Sequence, residues 1–262
     1  MRTSINLNKQ KMETIKDYNL KPGFSNSFGT GWRVMMNNFL RLFLVVLILG
    51  IVIGPFRLLE FRFDASDLHG APWNWDWENP DGWEHIFNMA SLGMFAAFFA
   101  LLGALYFLLV VPVFQFGGKM IFVQAVRKIK PDYEYFVKGF MENYLSIVLA
   151  NLLVLALVVM GLFALLIPGI IIACRLAFVS YIIMDKKTDP IEAVELSWKM
   201  TRGHGWKIFF MGFVSFFIII FGMILFLVGI FPAFIWVMSS FASLYESVNR
   251  EMNKPLETEV AA

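Results

Sequence analysis

The chain has 262 residues, of which 58% are hydrophobic and 16% are charged, and its formal net charge is +2. Soluble globular domains are about 45–50% apolar, and the mean hydropathy of +0.66 comes from apolar residues gathered in long runs. This composition excludes an ordinary soluble domain and indicates a chain whose solvent is largely lipid. The single cysteine, Cys174, offers neither an intrachain disulfide nor a metal site.

The first 28 residues are polar and are expected to form a cytoplasmic N-terminal segment. The first apolar run begins only near Phe39, which is too late for the charged start and apolar centre of a cleavable signal peptide. Met12 is an alternative start, because residues 1–11 have the composition of an unstructured leader. The transmembrane domain is expected to cover residues 29–248, followed by a cytoplasmic tail at 249–262.

Six apolar runs follow in chain order, and each predicts a membrane-spanning helix. A helix needs about 20 residues to cross a hydrocarbon core of about 30 Å. The runs do not alternate apolar with polar residues as barrel strands do, so helix is the expected structure. Breaks are expected at Pro168-Gly169 and at residues 229–232. The six runs are 39–56, 86–116, 144–167, 170–184, 208–228 and 233–248.

Basic residues set the orientation of these runs. Of the 22 Lys and Arg residues, 19 lie in residues 1–41, in the alternate loops 117–140 and 185–207 or in the tail. Because basic loops stay in the cytoplasm, both termini are predicted to be cytoplasmic. The fold is therefore predicted to be an all-α, polytopic transmembrane bundle of about six spans in three helical hairpins. The similar segments 29–33 and 203–207 favour a repeat, although membrane anchors also resemble one another.

The predicted outer loop, residues 57–85, is acidic and rich in tryptophan. It holds seven carboxylates, two arginines and four of the eight tryptophans. The stretch from Asp76 is not an EF-hand loop, because its fifth position is Pro80 and its twelfth is Phe87. We expect a solvated or interfacial loop, with cation binding and a partner site as alternatives.

Residues 189–202 predict an amphipathic helix on the cytoplasmic surface or packed on the bundle. Trp198 falls on its apolar side and Arg202 on its charged side. A regulatory or partner-binding role is the alternative to a purely structural one. The residues that mark the helix are Asp189 as N-cap, Pro190 at the first position, Glu192 in a capping box and Gly203 as the stop.

Arg175 is the one ionisable residue expected well inside an apolar run. A charge at that depth is costly, so its side chain should face the bundle or reach the interface. A carbonyl freed at the Pro168 break, a lipid phosphate and Tyr181 are its candidate partners. Trp206 and Lys207 form a typical interfacial anchor. The candidate functional residues are Pro168, Gly169, Arg175, Trp198, Arg202, Trp206 and Lys207.

No catalytic, cofactor-binding or metal-binding set is recognised. His69, His85 and His204 fall on both sides of the predicted membrane, and HExxH, GxSxG, Walker and CxxC motifs do not occur. No apolar run contains an aspartate, whereas a proton-coupled transporter normally needs an acid near the midplane. The basic segment 117–140 attracts anionic head groups at about 1 kcal/mol per basic residue. The predicted orientation already accounts for these basic residues, so lipid recognition is a secondary interpretation of this segment.

Short motifs in a fixed order carry a family resemblance. They are Leu166-Ile167-Pro168-Gly169-Ile170, Arg175, Met184-Asp185, Glu192-Ala193, Ser197-Trp198, Gly203, Trp206-Lys207, Gly229-Ile230-Phe231-Pro232 and Leu244-Tyr245. This order resembles the uncharacterised six-pass bacterial membrane proteins related to the membrane domain of glycerophosphodiester phosphodiesterases. The resemblance covers about residues 29–248 and implies a helical membrane domain. Phosphodiesterase activity is not implied, because no such catalytic domain is attached here, and the long loop 57–85 departs from compact members.

The expected role is non-enzymatic and lies in the bacterial inner membrane, where the protein organises, stabilises or assists lipids or partner proteins. Membrane lipids are the expected partners, with other membrane proteins as a second class, and neither nucleic acid nor a cofactor is expected. The alternative is a transporter or channel for a lipid or small amphipathic solute. Its cavity would be lined by Asn88, Gln115, Asn151 and Arg175. An enzyme is disfavoured, because no nucleophile–base pair or metal set is visible.

Overall fold

The computed structural model describes residues 20–60, 94, 97–224 and 226–260, and within these ranges every regular element is a helix. The predicted all-α class is confirmed. Residues 97–109 are helical and lead into α3. In chain order the other helices are α1 (Phe24–Asn37), α2 (Phe39–Glu60), α3 (Val111–Val126), α4 (Glu134–Met141), α5 (Tyr144–Ala164), α6 (Leu166–Arg175), α7 (Val179–Lys186), α8 (Pro190–Met200), α9 (Gly205–Ile224) and α10 (Phe226–Val260).

Four helical stretches among the described residues are long and apolar enough to cross a membrane, and a fifth arises if the bent pair α1 and α2 counts as one span. Only 17 to 44% of their most apolar windows is buried, so most of this surface is left for lipid. The acidic loop predicted at 57–85 lies outside the described residues from position 61 onward. The four stretches are Ala97–Val126, Tyr144–Ala164, Leu166–Lys186 and Gly205–Ile224.

The chain forms two compact units. Residues 1–49 and 112–262 make up the first, and Gly50–Val111 makes up the second. In the described part of the second unit, the Tyr106 hydroxyl donates a hydrogen bond of 3.0 Å to the Val52 carbonyl oxygen. The first unit contains every residue of the site described below.

A helix that the sequence analysis did not anticipate, α1, precedes the first apolar run. It begins inside the predicted polar segment 1–28, and the bend between α1 and α2 is 96°. α1 packs against α10, where the Trp236 indole N–H donates a 3.0 Å hydrogen bond to the Phe28 carbonyl oxygen. Gly31 is so close to Ser240 that a Cβ at position 31 would overlap it. The folded bundle thus begins before the predicted boundary.

The turn between α5 and α6 lies earlier than predicted. Leu165 is extended, with a φ of −172° and a ψ of 153°, and separates the two helices. Pro168 lies in the first turn of α6 and does not end the helix. The N–H groups of a first turn have no hydrogen-bond acceptor within the helix, so a proline there removes no hydrogen bond. Gly161 and Gly169 let the helices approach closely, since a Cβ at position 161 would lie 3.0 Å from the Gly169 Cα.

The turn between α9 and α10 also differs from the prediction. α9 is described as far as Ile224, and α10 runs from Phe226 through Pro232 into the predicted tail 249–262. The break expected at residues 229–232 is therefore wrong. Proline is tolerated within membrane helices when neighbouring groups satisfy the freed backbone. Gly222 brings the two helices together, since its Cβ would lie 2.6 Å from that of Ala233.

The core of the first unit includes residues of α3, α7 and α10. Phe178 and Tyr181 pack against Tyr245, with ring centroids 5.7 and 5.1 Å apart. Phe122 of α3 is buried in the same apolar cluster. Aromatic side chains bury about 150–250 Å² each, so this group fills much of the interior between the three helices.

Candidate functional site: a charged cluster on three helices

Arg127 lies directly after α3 and joins three helices. Its Nη1 and Nη2 donate hydrogen bonds of 2.6 and 2.7 Å to the two carboxylate oxygens of Asp185 in α7. Its Nε donates a bond of 2.7 Å to Glu246 in α10. Bidentate pairing of this kind is strong and directional, because the planar guanidinium matches the carboxylate. One side chain thus connects the end of α3 to α7 and α10.

Two more residues complete what we call the charged cluster, which comprises Arg127, Asp185, Tyr245, Glu246 and Arg250. The Tyr245 hydroxyl donates a 2.8 Å hydrogen bond to Asp185, and Arg250 Nε donates a 2.7 Å bond to the second oxygen of Glu246. The side chains of Asp185 and Glu246 are 10 and 6% exposed. Carboxylates at this burial need such partners, because an unpaired charge in a dry interior is very costly.

The surroundings of Arg127 fix its charge. Burial by itself disfavours the guanidinium ion, but hydrogen bonds and attraction from Asp185 and Glu246 outweigh burial and raise the pKa of Arg127 above its ordinary value. The two arginines of the cluster balance its two carboxylates. Because both carboxylates already accept hydrogen bonds from these partners, the geometry favours a structural connection over acid–base chemistry.

Lys119 was expected in a basic loop but lies in α3, inside the candidate span Ala97–Val126. Its Nζ donates a 2.9 Å hydrogen bond to the Ser180 hydroxyl. The same atom lies 5.8 and 5.7 Å from the ring centroids of Phe116 and Tyr181, within cation–π range. Arg175 is therefore not the only basic residue within an apolar helix.

Arg175 is the last residue of α6, and its guanidinium carbon lies 5.6 Å from the ring centroid of Trp198 in α8. Two residues singled out from the sequence thus lie together. The Nη1 atom of Arg175 is buried and has no hydrogen-bond partner within the described residues. The Trp198 ring was not among the expected partners, because its position on a separate helix gives no sequence signal of the contact.

The helix predicted at 189–202 is present as α8. Pro190 occupies the first turn as expected, but the Asp189 side chain makes no capping hydrogen bond. Ser197 is buried and donates a 2.7 Å hydrogen bond to the Arg175 carbonyl oxygen. α8 therefore contacts the bundle partly through small polar side chains, and its position at a membrane surface stays a prediction.

The other candidate residues lie apart from one another. Gly203 has a left-handed φ of +81°, but α8 ends at Met200 with Thr201 as its C-cap, so Gly203 is not the stop that was predicted. Arg202 is exposed. Lys207 donates a 3.1 Å hydrogen bond to the Pro22 carbonyl oxygen. Trp206 is 75% exposed. Apart from the contact between α6 and α8, the candidates do not form one site.

The charged cluster was not predicted from the sequence. Arg127 was considered only as part of the basic segment 117–140, and Glu246, inside the run 233–248, was not singled out. Asp185 and Tyr245 both belong to the motifs behind the family resemblance, and the structure shows them hydrogen-bonded to each other. The available signal was a set of opposite charges, with Asp185 directly after the run 170–184, Glu246 near the end of the run 233–248 and Arg127 in the basic segment 117–140.

Among the described residues, no three His, Cys, Asp or Glu side chains lie close enough to hold a metal ion. Comparison of the chain with protein families, with characterised proteins and with solved structures finds no match in any of the three. Any functional conclusion therefore depends on the residues and their geometry.

Proposed function

We propose that this chain is a non-enzymatic, multi-pass protein of the bacterial inner membrane that organises or stabilises lipids or partner proteins. In this proposal six spans form three hairpins, and both termini and α8 face the cytoplasm, in line with the distribution of basic residues. The sequence resemblance to six-pass proteins related to the membrane domain of glycerophosphodiester phosphodiesterases supports the same arrangement.

The observation that carries the proposal is the connection that Arg127 makes between α3, α7 and α10. Each of these is the returning helix of one proposed hairpin. Transporters commonly move one bundle of helices against another around a central site. A bidentate ion pair with buried carboxylates, next to an aromatic core, resists such a movement. The cluster therefore favours a rigid bundle whose exposed apolar surface contacts lipids or other membrane proteins.

A transporter for an anionic lipid or amphipathic solute is the second candidate. The observation in its favour is that Lys119 and Arg175, two basic residues, lie in apolar helices, where charges commonly mark substrate paths. Of the other residues proposed for a transport cavity, Gln115 and Asn151 are half-buried. Asn88 lies outside the described residues.

A flux measurement separates these two functions. Purified protein is reconstituted into liposomes that contain a fluorescent phosphatidylglycerol, and a membrane-impermeant reductant bleaches the outer leaflet. We expect the bleached fraction to equal that of protein-free liposomes. Bleaching beyond that level, abolished by Arg175→Leu, would contradict the scaffold function and establish lipid movement.

A further inference from the structure

An open cleft of about 420 Å³ lies beside the charged cluster, in the first compact unit. One wall is the bend between α1 and α2, and the other is the segment that follows α3. Lys128 in this second wall directly follows Arg127 of the cluster. The main lining residues are Asn37, Asn38, Arg41, Lys128, Lys130 and Pro131.

The cleft is strongly positive. Arg41, Lys128 and Lys130 line it, and among the residues that the structure describes no carboxylate does. The closest acids in sequence, Asp132 and Glu134, lie 3.8 and 2.7 Å from the ammonium group of Lys138. Asn38 and Arg41, at the start of α2, are among the lining residues, and the first turn of α2 contains no acidic residue. The dipole of the helix therefore adds partial positive charge at this end.

The wall that follows α3 is held in place by its own hydrogen bonds. The N–H of Lys128 bonds to the Ala125 carbonyl oxygen and that of Ile129 to the Gln124 carbonyl oxygen, which is the Schellman pattern of a helix end. The buried Gln124 side chain accepts a 3.0 Å bond from the Asp132 N–H. The cleft therefore has a fixed basic wall.

Lys128 occupies a backbone position that glycine would favour. Its φ is 57°, and a left-handed residue at this point of a Schellman motif is usually glycine, because a Cβ is strained there. A lysine at this position keeps a cation in the wall at the expense of local strain. Strained residues of this kind concentrate at ligand sites.

Apolar surface lies next to the cleft. Met36 and Leu40, adjacent to its lining residues, are 60 and 75% exposed, and Ile129 in its wall is 42% exposed. α3 belongs to the candidate span Ala97–Val126, and α2 belongs to the bent pair that counts as a further span. A ligand with both an anionic group and an apolar chain matches these two neighbouring surfaces.

We propose that this cleft binds the phosphate-bearing head group of an anionic membrane lipid, with Arg41, Lys128 and Lys130 around the phosphate. The proposal rests on the proposed function, since it names the lipid class that the bundle would organise. Basic groups next to a bilayer attract anionic lipids, and the ends of membrane helices place these groups at the depth of the phosphates.

Native mass spectrometry of the purified full chain tests this. The protein is exchanged into micelles with equal amounts of phosphatidylglycerol and phosphatidylcholine, and the ratio of retained lipids is counted. We expect wild type to prefer phosphatidylglycerol. Lys128→Gly and the pair Arg41→Gln with Lys130→Gln should lower the ratio by about fivefold for each cation removed, the factor that corresponds to about 1 kcal/mol.

Lys199→Gln is the matched control, because Lys199 is an exposed lysine on α8 outside the cleft lining. The lipid ratio retained by this variant should equal that of wild type. Thermal unfolding of Lys128→Gly is measured alongside, because glycine relieves the backbone strain at this position. A melting temperature no lower than that of wild type shows that its loss of lipid does not come from unfolding. Equal retention of the two lipids by wild type, or an unchanged ratio in the cleft variants, would overturn the proposal.

A competition experiment with a soluble ligand distinguishes a membrane lipid from a free phosphate ester. Glycerol 3-phosphate at tenfold excess over phosphatidylglycerol should not displace the lipid. Displacement at that concentration would assign the cleft to a soluble anion and overturn the lipid proposal. These outcomes are independent of the flux measurement. Bleaching of the inner leaflet would contradict the scaffold function, but the preference of the cleft for phosphatidylglycerol could still be observed.

Discussion

Arg127 shows what a single residue contributes to this bundle, because it is the hydrogen-bonded cation of buried Asp185 and shares buried Glu246 with Arg250. Its side chain is 21% exposed, so solvent compensates only part of the loss when it is removed. We expect Arg127→Met to lower the free energy of unfolding by about 3 kcal/mol, the lower end of the range for breaking a buried ion pair. The measurement is denaturant-induced unfolding in detergent.

An exposed pair in the same unit provides the control. Lys187 Nζ lies 2.6 Å from Glu142, and the two side chains are 63 and 44% exposed. The hydrogen bond from Lys187 holds the pKa of Glu142 below its usual range, so this pair weakens only as the pH falls through that pKa. Lys187→Met should change stability little at neutral pH. If both substitutions have the same effect, the charged cluster does not stabilise the bundle.

Among the helix contacts, the close approach between α1 and α10 attaches the N-terminal helix to the bundle. Two glycines of α1 differ in their surroundings: a Cβ at Gly31 would overlap Ser240, while a Cβ at Gly29 meets nothing within 4 Å. Gly31→Ala should lower the free energy of unfolding by about 1–3 kcal/mol, as overpacking does.

Gly29→Ala is the matched substitution in the same helix. Alanine is favoured over glycine in a helix by about 0.5–1 kcal/mol, so this variant should be neutral or more stable than wild type. Thermal unfolding of both proteins in detergent provides the comparison. Equal shifts in the same direction would show that α1 does not pack on α10 through Gly31.

Helices with long apolar runs could be predicted from the sequence, but the places where they end could not. The expected runs at 144–167 and 208–228 correspond closely to α5 and α9, because apolar length alone identifies such helices. Pro168 and Pro232 were misleading, because a first turn accepts proline and a membrane helix tolerates it. α1 was missed because it is short and contains polar residues.

The same limit applies to the site. Trp198 and Arg175 could each be selected from the sequence, but their contact depends on how α6 and α8 pack. Arg127 and Asp185 pair across 58 positions of the chain, and no local pattern indicates that pairing. The similar segments 29–33 and 203–207 lie in different settings, one inside α1 and the other across the turn into α9.

For the molecule as a whole, the proposed function requires a bundle that crosses a bilayer with its basic segments on one side. The charged cluster, the cleft and α8 would then all face the cytoplasm, and the acidic loop 57–85 would face outward. This arrangement places the proposed lipid site in the cytoplasmic leaflet. Such a topology also requires an even number of spans between the two termini.

Cysteine-accessibility labelling tests this arrangement most directly. Cys174 is replaced by alanine, and single cysteines are introduced as Trp75→Cys, Lys128→Cys and Lys199→Cys. A membrane-impermeant maleimide should label position 75 on intact cells and positions 128 and 199 only after the inner face is opened. Labelling of positions 75 and 128 from the same side would contradict the account.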